Sequence, residues 1–155
     1  MPPNDKLIHG VVVKTLKVIP DDRGRLMEIL RNDEPIFERF GQVYVTTAKP
    51  EVVKAWHYHK LQVDHWVCLK GKALVGLYDA REDSPTHGQV NEFLMSFEEP
   101  FLIKIPTGVY HGFKGKDPSG ETMILNVPTL PYHHASPDEY RHDPYDPAIA
   151  FDWRR

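Results

Sequence analysis

Short stretches of branched and aromatic residues, each closed by glycine, proline, aspartate or a lysine-rich break, fill most of this 155-residue chain. They run GVVVKTLKVI, GQVYVTTA, EVVKAWHYH, DHWVCLKG, KALVGLYDA, QVNEFLMSF, PFLIKIP and TMILNVP. Such side chains suit a pleated, half-buried surface, and the breaking residues supply turns. Only DEPIFERFG has room for a helical turn or two. Eight or so short strands without intervening helices predict an all-β antiparallel sandwich or barrel. No internal repeat, low-complexity tract or linker divides the chain, so a single domain over 1–155 is expected.

A chain of this length can bury one sizeable core. Hydrophobic residues make up 41% and charged residues 26%, the balance of a globular chain in water. A net charge of −3 with no basic run argues against a nucleic-acid partner. The opening MPPNDKLIHG has no apolar signal core, and no apolar run is long enough to span a bilayer. The one cysteine, Cys68, leaves no internal disulfide, and a cytoplasmic location is expected.

The sequence holds 14 prolines, crowded into NVPTLPYHHASPDEYRHDPYDPAIAFDW. Proline at that density forbids a regular helix. The expectation is a body over about 10–130 and an extended tail over about 131–155, laid on the body. Tyr132, Tyr140, Tyr145, Phe151 and Trp153 would anchor it.

WHYHKLQVDHWVCLKG places His57, His59, Asp64 and His65 within nine residues. On a strand His57 and His59 share one face and Trp56 and Tyr58 the other, so both histidines can reach one ion. Asp64 and His65 are adjacent, so only one of them faces inward. Downstream, IPTGVYHGF brings in His111 after a tight turn.

These stretches resemble the two motifs of the cupin superfamily. His57, His59, Asp64 and Gly71 fit the first motif, with Asp where Glu is usual. Pro106, Gly108 and His111 fit the second, although Gly115 stands where an Asn often follows. The resemblance implies a double-stranded β-helix, or jelly roll, with its site at the barrel mouth. It also selects Asp64 as the inward residue, with Trp66 and Cys68 beside it, because His59 and Gly71 fix the count. Hydrophobic patterning alone leans towards the other register, with His65, Val67 and Leu69 inside. Metal ligands His57, His59, Asp64 and His111 would suit a divalent zinc, iron, nickel or manganese ion. The alternative is a polar barrel mouth of hydrogen-bonded histidines without an ion.

DDRGRLMEIL, HYH, YDAREDSPTHGQ, IPTGVYHGF and DPAIAFDW together resemble the dTDP-4-dehydrorhamnose 3,5-epimerases over about residues 10–153. That resemblance implies a homodimeric cupin isomerase needing no cofactor, acting on a nucleotide-linked 4-keto-6-deoxy sugar. His57 holds the place of the base that removes a proton beside the ketone, a task suited to imidazole. Arg23 and Glu28 match positions that grip the nucleotide diphosphate and base, with the arginine offering a two-pronged donor. They reach the partner's site in that family. Trp66 would wall the sugar ring, and Lys54 and His111 would line the substrate. The dimer would also cover the edge strand QVYVTT.

The departures form a pattern. Lys54 stands where the family has arginine, Asp64 where it has lysine, His59 where it has glutamine, and Val75 where it has aspartate. The family's catalytic tyrosine falls near Leu125 or Asn126, with Tyr132 a substitute several residues later. Its C-terminal acidic residue has no counterpart before Arg155. Three functions stay open: an epimerase or isomerase of nucleotide sugars, a metal cupin of other chemistry such as a dioxygenase, isomerase or lyase, and a non-catalytic sugar-nucleotide-binding module.

Overall fold

The computed structural model describes residues 6–155. The expectation of no signal core in the first ten residues falls in part on 1–5, outside the described residues. Among the described residues twelve strands follow one another: β1 (Val12–Thr15), β2 (Val18–Asp21), β3 (Gly24–Met27), β4 (Tyr44–Ala48), β5 (Val53–Tyr58), β6 (Asp64–Lys70), β7 (Lys72–Asp79), β8 (Val90–Ser96), β9 (Phe101–Ile105), β10 (Val109–Gly115), β11 (Thr122–Asn126) and β12 (Tyr140–Arg141). One sheet has the order β1-β9-β6-β11-β4, the other β12-β5-β10-β7-β8, and β2 with β3 makes a separate hairpin. This is the all-β antiparallel architecture that the strand pattern predicts, in the double-sheet jelly-roll form that the cupin resemblance implies. The DEPIFERFG stretch is not helical. Its hydrogen bonds, Glu34 N–H to Arg31 O and Phe37 N–H to Glu34 O, are isolated turns, and Pro35 has no N–H to continue them.

Alternation explains the interior. Trp66 and Cys68 of β6, Ala73, Val75 and Leu77 of β7, Phe93 and Met95 of β8, and Phe101, Ile103 and Ile105 of β9 form one buried cluster between the sheets. Several intervening residues are buried too, on the outer faces, although Leu94 of β8 is exposed. Val67 and Leu102 pack under Leu16, Ile36 and Leu30, while Trp56 packs against Ile149 and Trp153. Strands β6 and β7 are therefore covered on both faces. That is why β6 and β7 read as near-continuous apolar runs rather than clean alternations.

Residues 131–155 contain no regular element except β12 and fold onto the outer face of the second sheet. Trp153 is fully buried, with its ring 4.9 Å from Trp56, and Phe151 lies 4.4 Å from Trp153. Tyr140 stacks on Tyr58 at 5.3 Å. The buried Lys114 ammonium donates to the carbonyl oxygens of Trp153 (3.0 Å) and Arg155 (2.9 Å). Tyr132 and Tyr145 are each 46% exposed, so two of the five expected anchors do not serve as such. Truncating a buried Trp such as Trp153 to alanine costs about 3–5 kcal/mol, so the outer packing is a substantial part of stability. Among the described residues, no helix is long and apolar enough to cross a membrane.

Candidate active site

Strand pairing delivers the histidines. In the β10–β5 ladder His111 stands opposite His57, and the register shifts between His111 and Phe113. The turn before β10 needs a left-handed residue, which Gly108 supplies at φ +79°. The Gly108 N–H donates to the His59 carbonyl at 2.8 Å, so the turn that launches His111 is tied to the end of β5. Gly112 lets the two strands close on each other: a Cβ there would lie 2.8 Å from the Lys54 carbonyl oxygen.

Asp64, at the start of β6, faces inward and is almost fully buried. Its Oδ2 lies 3.1 Å from His59 Nε2 and 3.3 Å from His111 Nε2, and its Oδ1 accepts from Gln62 Nε2 at 2.8 Å. Burial alone would raise the Asp64 pKa. Contacts with His111 and His59 outweigh it and hold the carboxyl well below the usual range. Burial likewise opposes a charged His59, but the Asp64 hydrogen bond and charge raise its pKa on balance. His65 points the other way, its Nδ1 2.8 Å from the Val127 carbonyl oxygen.

The tail closes the site. Asp138 accepts the N–H groups of Lys60 (2.8 Å), Leu61 (3.0 Å) and Gln62 (2.9 Å), fixing the β5–β6 turn. Its backbone carbonyl accepts from His59 Nδ1 at 2.6 Å. The next residue, Glu139, sets Oε1 3.2 Å from His57 Nδ1, close enough for ion pairing but outside hydrogen-bond alignment. Burial, and then the nearby His111, push the His57 pKa below its ordinary value against the raising effect of Glu139. That shift favours the neutral imidazole.

These groups surround a cavity of about 520 Å3, a volume typical of small-molecule sites. Its lining includes Gln42, Tyr44, Lys54, His57, His59, Trp66, His111, Tyr132, Glu139 and Arg141. The Trp66 indole N–H is buried without a partner.

Of the residues expected from sequence, the structure gathers His57, His59, Asp64, His111, Lys54, Trp66 and Tyr132 around this cavity. It does not bring in Arg23 or Glu28 of the same chain. Arg23 sits at the tip of the β2–β3 hairpin, its side chain 86% exposed and paired with Asp21, and Glu28 pairs with Arg31. Of the expected four-ligand set, three residues cluster. Donor atoms of His59, Asp64 and His111 lie within 4.8 Å of one another, whereas His57 stands outside that group, beside Glu139. Sequence reasoning missed Tyr44, Gln62, Asp138, Glu139 and Arg141. The available signal was the polar pair Asp138–Glu139 in a tail already expected to lie on the body.

The family model for dTDP-4-dehydrorhamnose 3,5-epimerase matches residues 5–155. The chain is 43% identical over 143 residues to the probable low-salt glycan biosynthesis epimerase Agl13 of Haloferax volcanii, covering 90% of this chain and 89% of that one. It is 42% identical over 149 residues to the spore coat polysaccharide biosynthesis protein SpsL of Bacillus subtilis, covering 95% and 97%. Among solved structures, a dTDP sugar isomerase from Desulfovibrio desulfuricans superposes with a TM-score of 0.85 at 30% identity, covering 94% and 92%. With the model spanning both sheets, the cavity and the tail, the chain belongs to the dTDP-4-dehydrorhamnose 3,5-epimerase family, isomerases of nucleotide-linked sugars.

Proposed function

We propose that the cavity epimerises a dTDP-linked 4-keto-6-deoxy sugar at a carbon beside the ketone, with His57 as the base. The observation that carries this is an imidazole lining the cavity with the Glu139 carboxylate 3.2 Å from its Nδ1. Glu139 beside Nδ1 favours the tautomer protonated there, which leaves the Nε2 lone pair to accept the proton. Removing that proton produces an enolate, and the polar cluster below must tolerate its charge. The reaction needs no cofactor. Lys54 and Arg141 at the cavity wall are the cations available to the diphosphate, and Trp66 offers an apolar face to the sugar. The test is NMR of the product formed from a dTDP-4-keto-6-deoxy hexose. An inverted centre beside the ketone supports the reading, and an unchanged substrate at micromolar enzyme rejects it.

The edge strand β4 exposes Val45, and the β2–β3 hairpin exposes Ile19 and Leu26. A homodimer would cover these surfaces and carry Arg23 and Glu28 into the site of a second copy. In this reading the whole chain is one cupin domain with residues 131–155 as its extended closing segment. A cytoplasmic location suits both the lone buried thiol of Cys68 and a nucleotide-sugar substrate.

One observation favours a metal at the same mouth. His59 and His111 each give Nδ1–H to a backbone carbonyl, of Asp138 and Val109. Both Nε2 atoms then face one Asp64 oxygen, an acceptor against acceptors unless a cation intervenes. Two additional protons or one divalent zinc, iron, nickel or manganese ion would satisfy all three. When bound, such an ion would supply the positive charge that the family's lysine supplies elsewhere. His57 remains free as the base in either case.

A further inference from the structure

An epimerase needs an acid on the face opposite its base, and the tyrosine expected near Leu125 or Asn126 is absent. The neighbouring strand carries one. In the β11–β4 ladder Asn126 stands directly opposite Tyr44. The Asn126 Oδ1 accepts the His65 N–H at 3.0 Å, which fixes the orientation of the amide. Its Nδ2 therefore donates to the Tyr44 hydroxyl, at 2.9 Å. In that bond the phenol oxygen is the acceptor, so its own proton remains unused, and among the described residues no hydrogen bond consumes it. Burial, followed by the Asp64 carboxylate, pushes the phenol pKa up to about 12, so the proton stays on.

Tyr44 and His57 lie on different sheets and line the same cavity. The two sheets therefore contribute the phenol and the imidazole separately to one cavity. Tyr132 also lines the cavity, but it sits on the tail, packed edge-on against His134 at 4.8 Å. Its hydroxyl has no fixed amide behind it.

We infer that Tyr44 is the catalytic acid that protonates the substrate carbon on the face opposite His57, an assignment that rests on the epimerase reading. His57 takes the proton beside the ketone, and the C–H electron pair becomes the enolate double bond while the carbonyl pair moves to oxygen. Tyr44 then gives its proton to the other face of that carbon. The oxygen pair re-forms the carbonyl and the double-bond pair forms the new C–H bond. The imidazolium and phenolate return to their starting states by exchange with solvent water.

The test is Tyr44→Phe in D2O with a dTDP-4-keto-6-deoxy hexose, alongside wild type and Tyr132→Phe. The expected Tyr44→Phe result is deuterium entering the recovered substrate with configuration retained, through His57 alone. Epimer formation falls by about 10²-fold or more. Its thermal stabilisation by dTDP stays at the wild-type level, showing that the site still folds and binds. Epimer formation by Tyr44→Phe at the wild-type rate overturns the assignment, as does exchange without inversion arising in Tyr132→Phe instead. A wild type that neither exchanges nor inverts overturns the epimerase reading, and the role of Tyr44 with it.

Discussion

His57 Nδ1 and Glu139 Oε1 lie 3.2 Å apart, a contact that joins β5 to the residue just before the two-residue strand β12 in the proline-rich tail. Arg141 of that strand pairs in register with His57, so the ladder itself sets Glu139 beside the ring. In the epimerase reading proposed above, Glu139 acts through His57 as a positioning residue. Glu139→Gln is expected to lower kcat/KM by about 10- to 10²-fold, through kcat more than KM. Because the carboxylate raises the His57 pKa, its loss also moves the acidic limb of the pH profile to lower pH. A merely structural glutamate would leave that limb in place.

For the wild type, the same imidazole sets where activity begins. The base must be neutral, so kcat/KM rises as pH climbs through the His57 pKa. Burial and His111 hold that value below the ordinary 6.5. The acidic limb should therefore have its midpoint below pH 6.5, with full activity at neutrality. A midpoint above 6.5 would mean that Glu139 dominates over burial.

The convergent nitrogens make metal content measurable. Protein purified without a polyhistidine tag and analysed by plasma mass spectrometry should hold a transition metal near one per chain if the ion reading is right. Asp64→Asn and His59→Gln should both lose it, while His65→Gln retains it, since His65 faces Val127 and Ile36. Metal far below stoichiometry in the wild type leaves the cluster to protons.

Gly112 is where β10 and β5 approach too closely for a side chain. Gly112→Ala should destabilise the fold by about 1–3 kcal/mol, the usual cost of overpacking. It should also lower kcat by parting His111 from His57. Denaturant unfolding and steady-state kinetics on one sample check both effects.

The barrel was legible because its inward residues alternate, and the count from His59 to Gly71 placed Asp64 on the right face even though Val67 and Leu69 pulled the other way. Val67 is buried after all and Leu69 half-buried, both on the outer face with Leu16 and Ile36. A burial pattern cannot tell an inner face from a covered outer one. The β2–β3 hairpin, which spans the end of GVVVKTLKVI and the start of DDRGRLMEIL, lay hidden because its strands are mostly exposed and carry no apolar period. Glu139 was invisible for a different reason: a polar residue between prolines has no periodicity, and its partner is 82 residues away. Tyr44 read simply as a strand former in QVYVTT. Its significance comes from the amide across the ladder, which only strand pairing reveals.

Solvent exchange at the substrate tests the central role of His57 most directly. With a dTDP-4-keto-6-deoxy hexose in D2O, the wild type should place deuterium at a carbon beside the ketone, followed by proton NMR. His57→Asn should slow that exchange by about 10²- to 10⁴-fold while dTDP still raises its melting temperature. Exchange in His57→Asn at the wild-type rate would contradict the assignment of His57 as the base.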